Sequence, residues 1–376
     1  MRSQRCVARR PYRLVTSMTG DATTASARAV LALAPVGAVG AARDAAVLVP
    51  TRRYVALDRF GPPDVMRWTT GPAPQRGEGE VLVAVEAIGL NFADTMVRRG
   101  EYRRDQSLDF TPGFEVAGHV LESGDGGPAP GTPVLVFCEN GGGYADTISA
   151  PADHVFTLIE GMAPRDAAAL FTQGVTAWYA VHRYGQVGEG DWVLVHAAAG
   201  GLGGMSVQLA ALAGARVVAT ASTPAKLEIA RRYGATETVL ADPETLTAGV
   251  RAATGGHGAD VVIDGVGGDL FMPSMRALAF GGRYLVVGSA SQAPAMLDVR
   301  ALMPRGQTVT GVLVARVAEQ DPSEPQRAFD EIQRLVLSGE LRPDVRTMPA
   351  AEIAAAHELI ESRSLTGKVV LELEPA

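Results

Sequence analysis

The chain has 376 residues, 47% hydrophobic and 20% charged, an ordinary composition for a soluble globular protein and enough length for two domains. Two cysteines, Cys6 and Cys138, exclude a disulfide framework and a four-cysteine zinc site. The longest apolar run, 29–42, carries a proline and two glycines and falls short of the roughly 20 residues a bilayer requires.

Nine arginines against Asp21 and Asp44 give residues 1–53 a formal charge of +7, leaving −14 for the rest of a chain whose total is −7. An acidic body excludes nucleic acid as a principal partner, because phosphate binding needs a basic face. So few cysteines suit a reducing, cytoplasmic setting. The leader itself is expected to be a disordered extension ahead of a domain that begins near Arg53; a transit peptide and a weak secretory core at 29–42 are the other readings its composition leaves open. Lysine is nearly absent, with only Lys226 and Lys368.

Over 54–174 the chain reads as short β-runs broken by glycine and proline: "RRYVAL", "EVLVAVEAIGL" with apolar residues on both faces, "FEVAGHVLE", "TPVLVF" and "YADTISA". Irregularly spaced strands with little helix predict a twisted, barrel-like β-rich domain. Over 175–310 the pattern alternates: "WVLVHA", helix 203–213, "RVVATA", helix 224–233, "ETVL", helix 243–254, "DVVIDGV", helix 269–280, "RYLVVGSA", a short helix near 297–304 and "QTVTGVLV". Strands separated by helices pair in parallel through right-handed crossovers, so an α/β, doubly wound (Rossmann) sheet of about six strands is expected. The remainder, 311–376, ends in the alternating strand "LTGKVVLELE", which is expected to rejoin the first domain.

Between "WVLV" and the helix behind it lies "HAAAGGLGGM", containing Ala198-x-Gly200-x-x-Gly203. This is the spacing of a dinucleotide fingerprint with alanine at the first position: a tight turn, a close backbone approach to pyrophosphate, and close packing of helix on strand. The phosphates would sit on the amides of Ala199, Gly200, Gly201, Leu202 and Gly203 at the helix start. Tight packing alone is the competing reason for so many glycines.

The end of the next strand selects the dinucleotide. NAD asks for an acidic residue there, and this chain has "TASTPAK" over 220–226. Hydroxyls and a cation, Ser222 and Lys226 with Arg231 or Arg232 nearby, suit the 2′-phosphate of NADPH. Ser222 equally fits the cap of the helix starting at Pro224, and Lys226 a solvated helix position.

With these features, "FGPPDVMRW", "GLNFADTMVRRGEY", "PGFEVAGHV", "GGYADTISAP", "TQGVTAWYAV" and "SRSLTGKVVLE", the chain from about Tyr54 to Leu373 resembles the zinc-independent (zeta-crystallin-like) quinone oxidoreductases of the medium-chain dehydrogenase/reductase superfamily. The resemblance implies a GroES-like catalytic domain beside the Rossmann domain, a homodimer, and NADPH-dependent reduction of a small-molecule quinone or enone. Zinc-dependent relatives have a cysteine near Asn91 and a histidine where Phe114 stands, so no metal is expected. Asn91 and Asp94 match residues lining the nicotinamide cleft, Tyr102 a proton donor of enoyl-thioester reductases, and Thr176 a nicotinamide-side residue. Gly265 and Gly288 end strands on the cofactor side. A turn for Asn91, a helix cap for Asp94, a rim position for Tyr102 and a helix-face hydroxyl for Thr176 are the structural alternatives. An enoyl-thioester reductase, for which Arg98, Arg99, Arg103 and Arg104 would offer positive charge, and a non-catalytic NADPH-binding protein are the rival functions.

Overall fold

The fold is taken from a computed structural model, which describes residues 51–102, 108 and 111–374. β1 (Thr51–Leu57) and β2 (Met66–Pro72) form an antiparallel ribbon. Thr51, Arg52 and Arg53 therefore belong to a strand, paired with Pro72, Gly71 and Thr70, and not to the disordered extension expected over 1–53. The arginines that made them look like leader lie over aromatic rings, Arg52 4.8 Å from the Tyr54 centroid and Arg53 5.6 Å from Trp68. The rest of the expected extension lies outside the described residues.

The β-rich domain follows as β3 (Glu80–Leu90), β4 (Glu115–Ser123), β5 (Pro133–Phe137), β6 (Thr147–Pro151) and β7 (Val155–Thr157). β3 pairs with β4, with β6 and with a strand from the end of the chain, so it is the most shared element of a seven-stranded sheet. Its two-faced apolar pattern has a local cause. Val81, Val83 and Val85 face one core; after a register shift between Val85 and Ala87, the even residues Ile88 and Leu90 face it instead.

The second sheet holds β8 (Trp192–Val195), β9 (Arg216–Ala221), β10 (Glu237–Leu240), β11 (Ala259–Asp264), β12 (Leu278–Val286) and β13 (Thr308–Gly311). All pairings are parallel, in the order β10-β9-β8-β11-β12-β13. Six strands doubly wound match the alternating sequence pattern. The expected helix 269–280 is shorter, Phe271–Ala277, because β12 already begins at Leu278. The strand order reverses between β8 and β11, and the loops that leave their carboxyl ends diverge there, opening the crevice in which such sheets hold ligands.

Helix Glu324–Ser338 buries Ala328, Phe329 and Ile332 in a core shared with Phe171 and β8. Beyond it, β14 (Val345–Pro349) and β15 (Lys368–Glu372) return to the first sheet, β15 antiparallel to β3 with Val369 opposite Leu90. Among the described residues, no helix is long and apolar enough to cross a membrane.

Candidate active site

The glycine-rich loop runs from β8 into helix Gly201–Leu212, with Gly200 at its N-cap. Its four glycines serve different ends. A Cβ at Gly203 would come 2.3 Å from the Ala197 carbonyl, one at Gly204 2.8 Å from the Tyr233 ring, and one at Gly201 1.7 Å from Gln173 Oε1. These three let the helix sit close to its strand and its neighbours, as the packing alternative held. Gly200 differs: only the Ala197 carbonyl, at 3.3 Å, would lie near its Cβ. Space is thus left at the one position where the backbone faces the first-turn amides of 201–203, which no intrahelical carbonyl can satisfy. A dinucleotide phosphate fits that combination. Ala199 is buried, its carbonyl accepting from Gly367 N at 2.9 Å, and Leu202 reaches toward Gly265, its Cδ2 3.7 Å from where a Cβ there would stand.

At the end of β9, Thr220 is buried and bonded to His196 Nδ1 at 2.7 Å, which removes it from any ligand. The N-cap of helix Pro224–Arg232 is Thr223, whose hydroxyl accepts from Lys226 N; Ser222 is not the cap and remains exposed. Arg231 is bound to Glu228 and Thr238. A later segment of the chain reaches this strand end: Lys226 Nζ donates to the Arg363 backbone carbonyl at 2.5 Å. Arg363 has φ of 56°, a left-handed turn that no sequence pattern announces.

The loops after β11 and β12 meet behind this edge. Asp264, buried, accepts from the amides of Val266 at 2.7 Å and Gly267 at 3.0 Å and from the Tyr284 hydroxyl at 2.5 Å. This shapes the 265–267 turn, where Gly267 has φ of 68°. A Cβ on Gly288 would sit 3.2 Å from the Gly265 carbonyl, so the two candidate glycines are neighbours. Asp264 was not singled out from sequence, although an acid followed by "GVGG" turn amides is the signal for it.

On the other side of the crevice, Asn91 caps helix Phe92–Arg99, and Asp94 is its third residue: Asn91 N donates to Asp94 Oδ2 at 2.8 Å. Asp94 is fully buried, so it acts on the site through the cap and not by meeting a ligand. Burial pushes its carboxyl up to about 7, opposed by the Asn91 amide and the Lys368 ammonium. The Asn91 side chain is also committed. Its Oδ1 accepts from Lys368 Nζ at 2.8 Å and its Nδ2 donates to Glu115 Oε1 at 3.0 Å.

Lys368 pairs with Glu115 as well, both essentially without solvent exposure. Glu115 Oε2 takes the Thr172 amide at 2.8 Å, and Thr176 donates its hydroxyl to the Thr172 carbonyl at 2.6 Å. Thr176 thereby keeps only acceptor capacity for a ligand. Tyr102 stands at the rim, 39% exposed, its ring 5.1 Å from that of Phe114. Arg103 and Arg104 lie outside the described residues. Among the described residues, no group of three or more His, Cys, Asp or Glu is placed to hold a metal ion.

Comparison with known proteins accords with this geometry. The family model described as an alcohol dehydrogenase GroES-like domain matches residues 77–160, and the one described as a zinc-binding dehydrogenase matches 201–334. The chain is 31% identical to the quinone oxidoreductase of Sus scrofa over 324 residues, 85% of this chain and 97% of that protein. The crystal structure of Escherichia coli quinone oxidoreductase complexed with NADPH superposes with a TM-score of 0.79 at 29% identity, over 85% of this chain and 99% of that one. CurK enoyl reductase superposes with a TM-score of 0.77 at 25% identity, over 86% and 99%. The protein is an oxidoreductase, and the chain belongs to the quinone oxidoreductase branch of the medium-chain dehydrogenase/reductase superfamily.

Proposed function

We propose that the protein is an NADPH-dependent reductase of quinones or other conjugated carbonyl (enone) acceptors. The observation that carries the cofactor is the end of β9: Lys226, whose Nζ lies on the Arg363 backbone carbonyl, and exposed Ser222, with no carboxylate in 220–226, where an NAD ribose would be held. A cation and a hydroxyl suit a 2′-phosphate. Residues 199–203 would hold the pyrophosphate, while Thr176, Gly265 and Gly288 would border the nicotinamide.

When bound, the nicotinamide supplies a hydride to an electron-poor acceptor. The chain's own part is to orient and to exclude water. The Asn91–Asp94 cap and the Lys368–Glu115 pair fix the wall of the crevice, and Phe114 presents an apolar surface where a zinc-dependent relative would have a ligand. Tyr102 stands at the rim against Phe114. A reduced quinone takes its protons from water, so its reduction makes no demand on that phenol.

The exposed phenol against Phe114 and the likeness to an enoyl reductase favour one second reading, reduction of an enoyl thioester with Tyr102 as proton donor. A homodimer is part of the main reading. Among the described residues β13 pairs only with β12, and Phe280, Met296 and Met303, in the stretch of chain leading to β13, are 80%, 82% and 75% exposed. A cytoplasmic location is proposed with it.

The experiment is oxidation of NADPH, and separately NADH, by the purified protein with a panel of quinones, simple enones and crotonyl-CoA. Turnover of quinones with NADPH is the expected result. Turnover of the thioester alone would transfer the assignment to the second reading, and NADPH binding without turnover would leave a non-catalytic protein.

A further inference from the structure

Lys368 and Glu115 are the only oppositely charged pair in the described structure with both side chains almost wholly excluded from solvent, 2% and 0% exposed. A buried ion pair is poor glue: two apolar side chains of similar size hold strands together at least as well. What a charged pair does supply is direction. The Lys368 ammonium fixes Asn91 Oδ1 and one oxygen of Glu115, and the other oxygen fixes the Thr172 amide. Three distant segments meet at one nitrogen, the end of β3, the start of β4 and β15, and Glu115 ties in a fourth, the helical turn Phe171–Val175.

The residue before the lysine reaches the opposite side of the crevice. Gly367 N donates to the Ala199 carbonyl at 2.9 Å, and Gly367 bridges to Gly200. Gly367 is also packed closely on its other side. Its φ is 65° and a Cβ there would lie 2.0 Å from the Asp344 carbonyl, while Lys368 N donates to that same carbonyl at 2.8 Å. A shift of the glycine-rich loop is therefore transmitted to the ammonium, and from it to the cap of helix Phe92–Arg99.

We infer that Lys368, with Glu115, is a positioning residue that couples occupancy of the dinucleotide loop to the geometry of the Asn91 wall. The inference rests on the proposal that residues 199–203 hold NADPH. The pair makes the two halves of the crevice one unit.

The test is hydrogen exchange read by mass spectrometry, with and without NADPH, on the wild-type protein, K368R and the charge-free pair K368M/E115Q. In the wild type, NADPH slows exchange at 199–204 and also at 91–99. In K368M/E115Q, protection at 199–204 persists while the NADPH-dependent protection at 91–99 falls at least about fivefold, the lower end of coupling between sites; K368R restores part of it. Undiminished protection at 91–99 in K368M/E115Q overturns the inference. So does a proportional loss at both segments, which would mark the pair as a mere support of the fold. If NADPH protects neither segment of the wild type, the cofactor assignment itself fails and takes the coupling with it, an outcome distinct from the other two.

Discussion

The hydroxyl of Tyr144 and Nε2 of His357 meet at 2.9 Å inside the β-rich domain, both side chains fully buried and their rings edge to face at 84°. They join two segments 213 residues apart. Burial pushes the imidazole down to about 3, helped by the cations of Arg98 and Arg99, so His357 is neutral in the fold and titrates near 6.5 once unfolded. The unfolded chain then binds the extra proton. Stability from this group is fully present above about 6.5 and is lost as pH falls toward 3, at no more than about 1.4 kcal/mol per pH unit. The variant H357Q keeps a donor for Tyr144 and removes the titration. Its melting temperature relative to wild type should rise steadily between pH 6.5 and 4.5; a pH-independent difference would show that His357 does not titrate on unfolding.

Asp94 has the opposite sign. Its carboxyl is raised to about 7 in the fold and returns to about 3.9 in the unfolded chain. The native state binds the extra proton, so its contribution is present below about 3.9 and is lost as pH rises through 7. In the wild type this partly cancels the His357 effect between pH 4 and 6.5. D94N keeps an acceptor for the Asn91 amide without a charge to bury. The melting temperature of D94N minus that of wild type should therefore increase from pH 5 to 8, levelling off above about 7, and thermal scans across that range decide it.

Lys226→Glu should raise the KM for NADPH at least about tenfold while changing that for NADH much less, the scale set by losing one charge-assisted hydrogen bond to phosphate. Arg363→Ala should leave both KM values nearly unchanged, because the partner of Lys226 Nζ is the Arg363 backbone carbonyl, which alanine retains. Equal effects of Lys226→Glu on both cofactors would remove the 2′-phosphate assignment.

How much of this was legible in the sequence follows from the range of the interactions. Runs of β-residues alternating with helical periods were enough for the parallel sheet, because each element advertises itself within a dozen residues. The dinucleotide loop was legible for the same reason. Local alternatives were harder: Thr223 and Ser222 are both good caps, and the chain uses the one at the right φ and ψ. Thr51 to Arg53 were misassigned because their arginines continue the basic leader, whereas their partners across the ribbon are about 20 residues away. The Lys368–Glu115 pair spans 253 residues and the Lys226–Arg363 bond 137. Nothing periodic links such positions, and only the packing of β15 on β3 brings the first pair together.

The glycines of the loop should separate in a mutant series. Gly203→Ala and Gly204→Ala place a Cβ against the Ala197 carbonyl and the Tyr233 ring and should cost about 1–3 kcal/mol of stability, the usual range for overpacking. Gly200→Ala meets nothing closer than 3.3 Å, so its melting temperature should stay near that of wild type while NADPH affinity falls. Thermal scans paired with nucleotide fluorescence titration check this. Parallel loss of stability and affinity at Gly200 would return the whole loop to a packing role.

Tyr102 decides between the two acceptor classes. Its phenol is exposed at the rim and rests on Phe114, where a donor would be needed only for a substrate whose reduced form must be protonated at carbon. A quinone reduced by hydride leaves an oxyanion that water protonates without help, whereas an enoyl thioester leaves an enolate that benefits from a positioned acid. Tyr102→Phe keeps the ring on Phe114 and deletes only the hydroxyl. Quinone turnover should remain within about twofold of wild type, while turnover of crotonyl-CoA, if the wild type has any, should fall about 10²- to 10⁴-fold, the ordinary contribution of general acid catalysis. Measuring kcat and kcat/KM for both acceptors with the same enzyme preparations makes the comparison internal. An equal loss on both would mean that the hydroxyl supports the rim itself, and Tyr102 would then have no selective part in proton transfer.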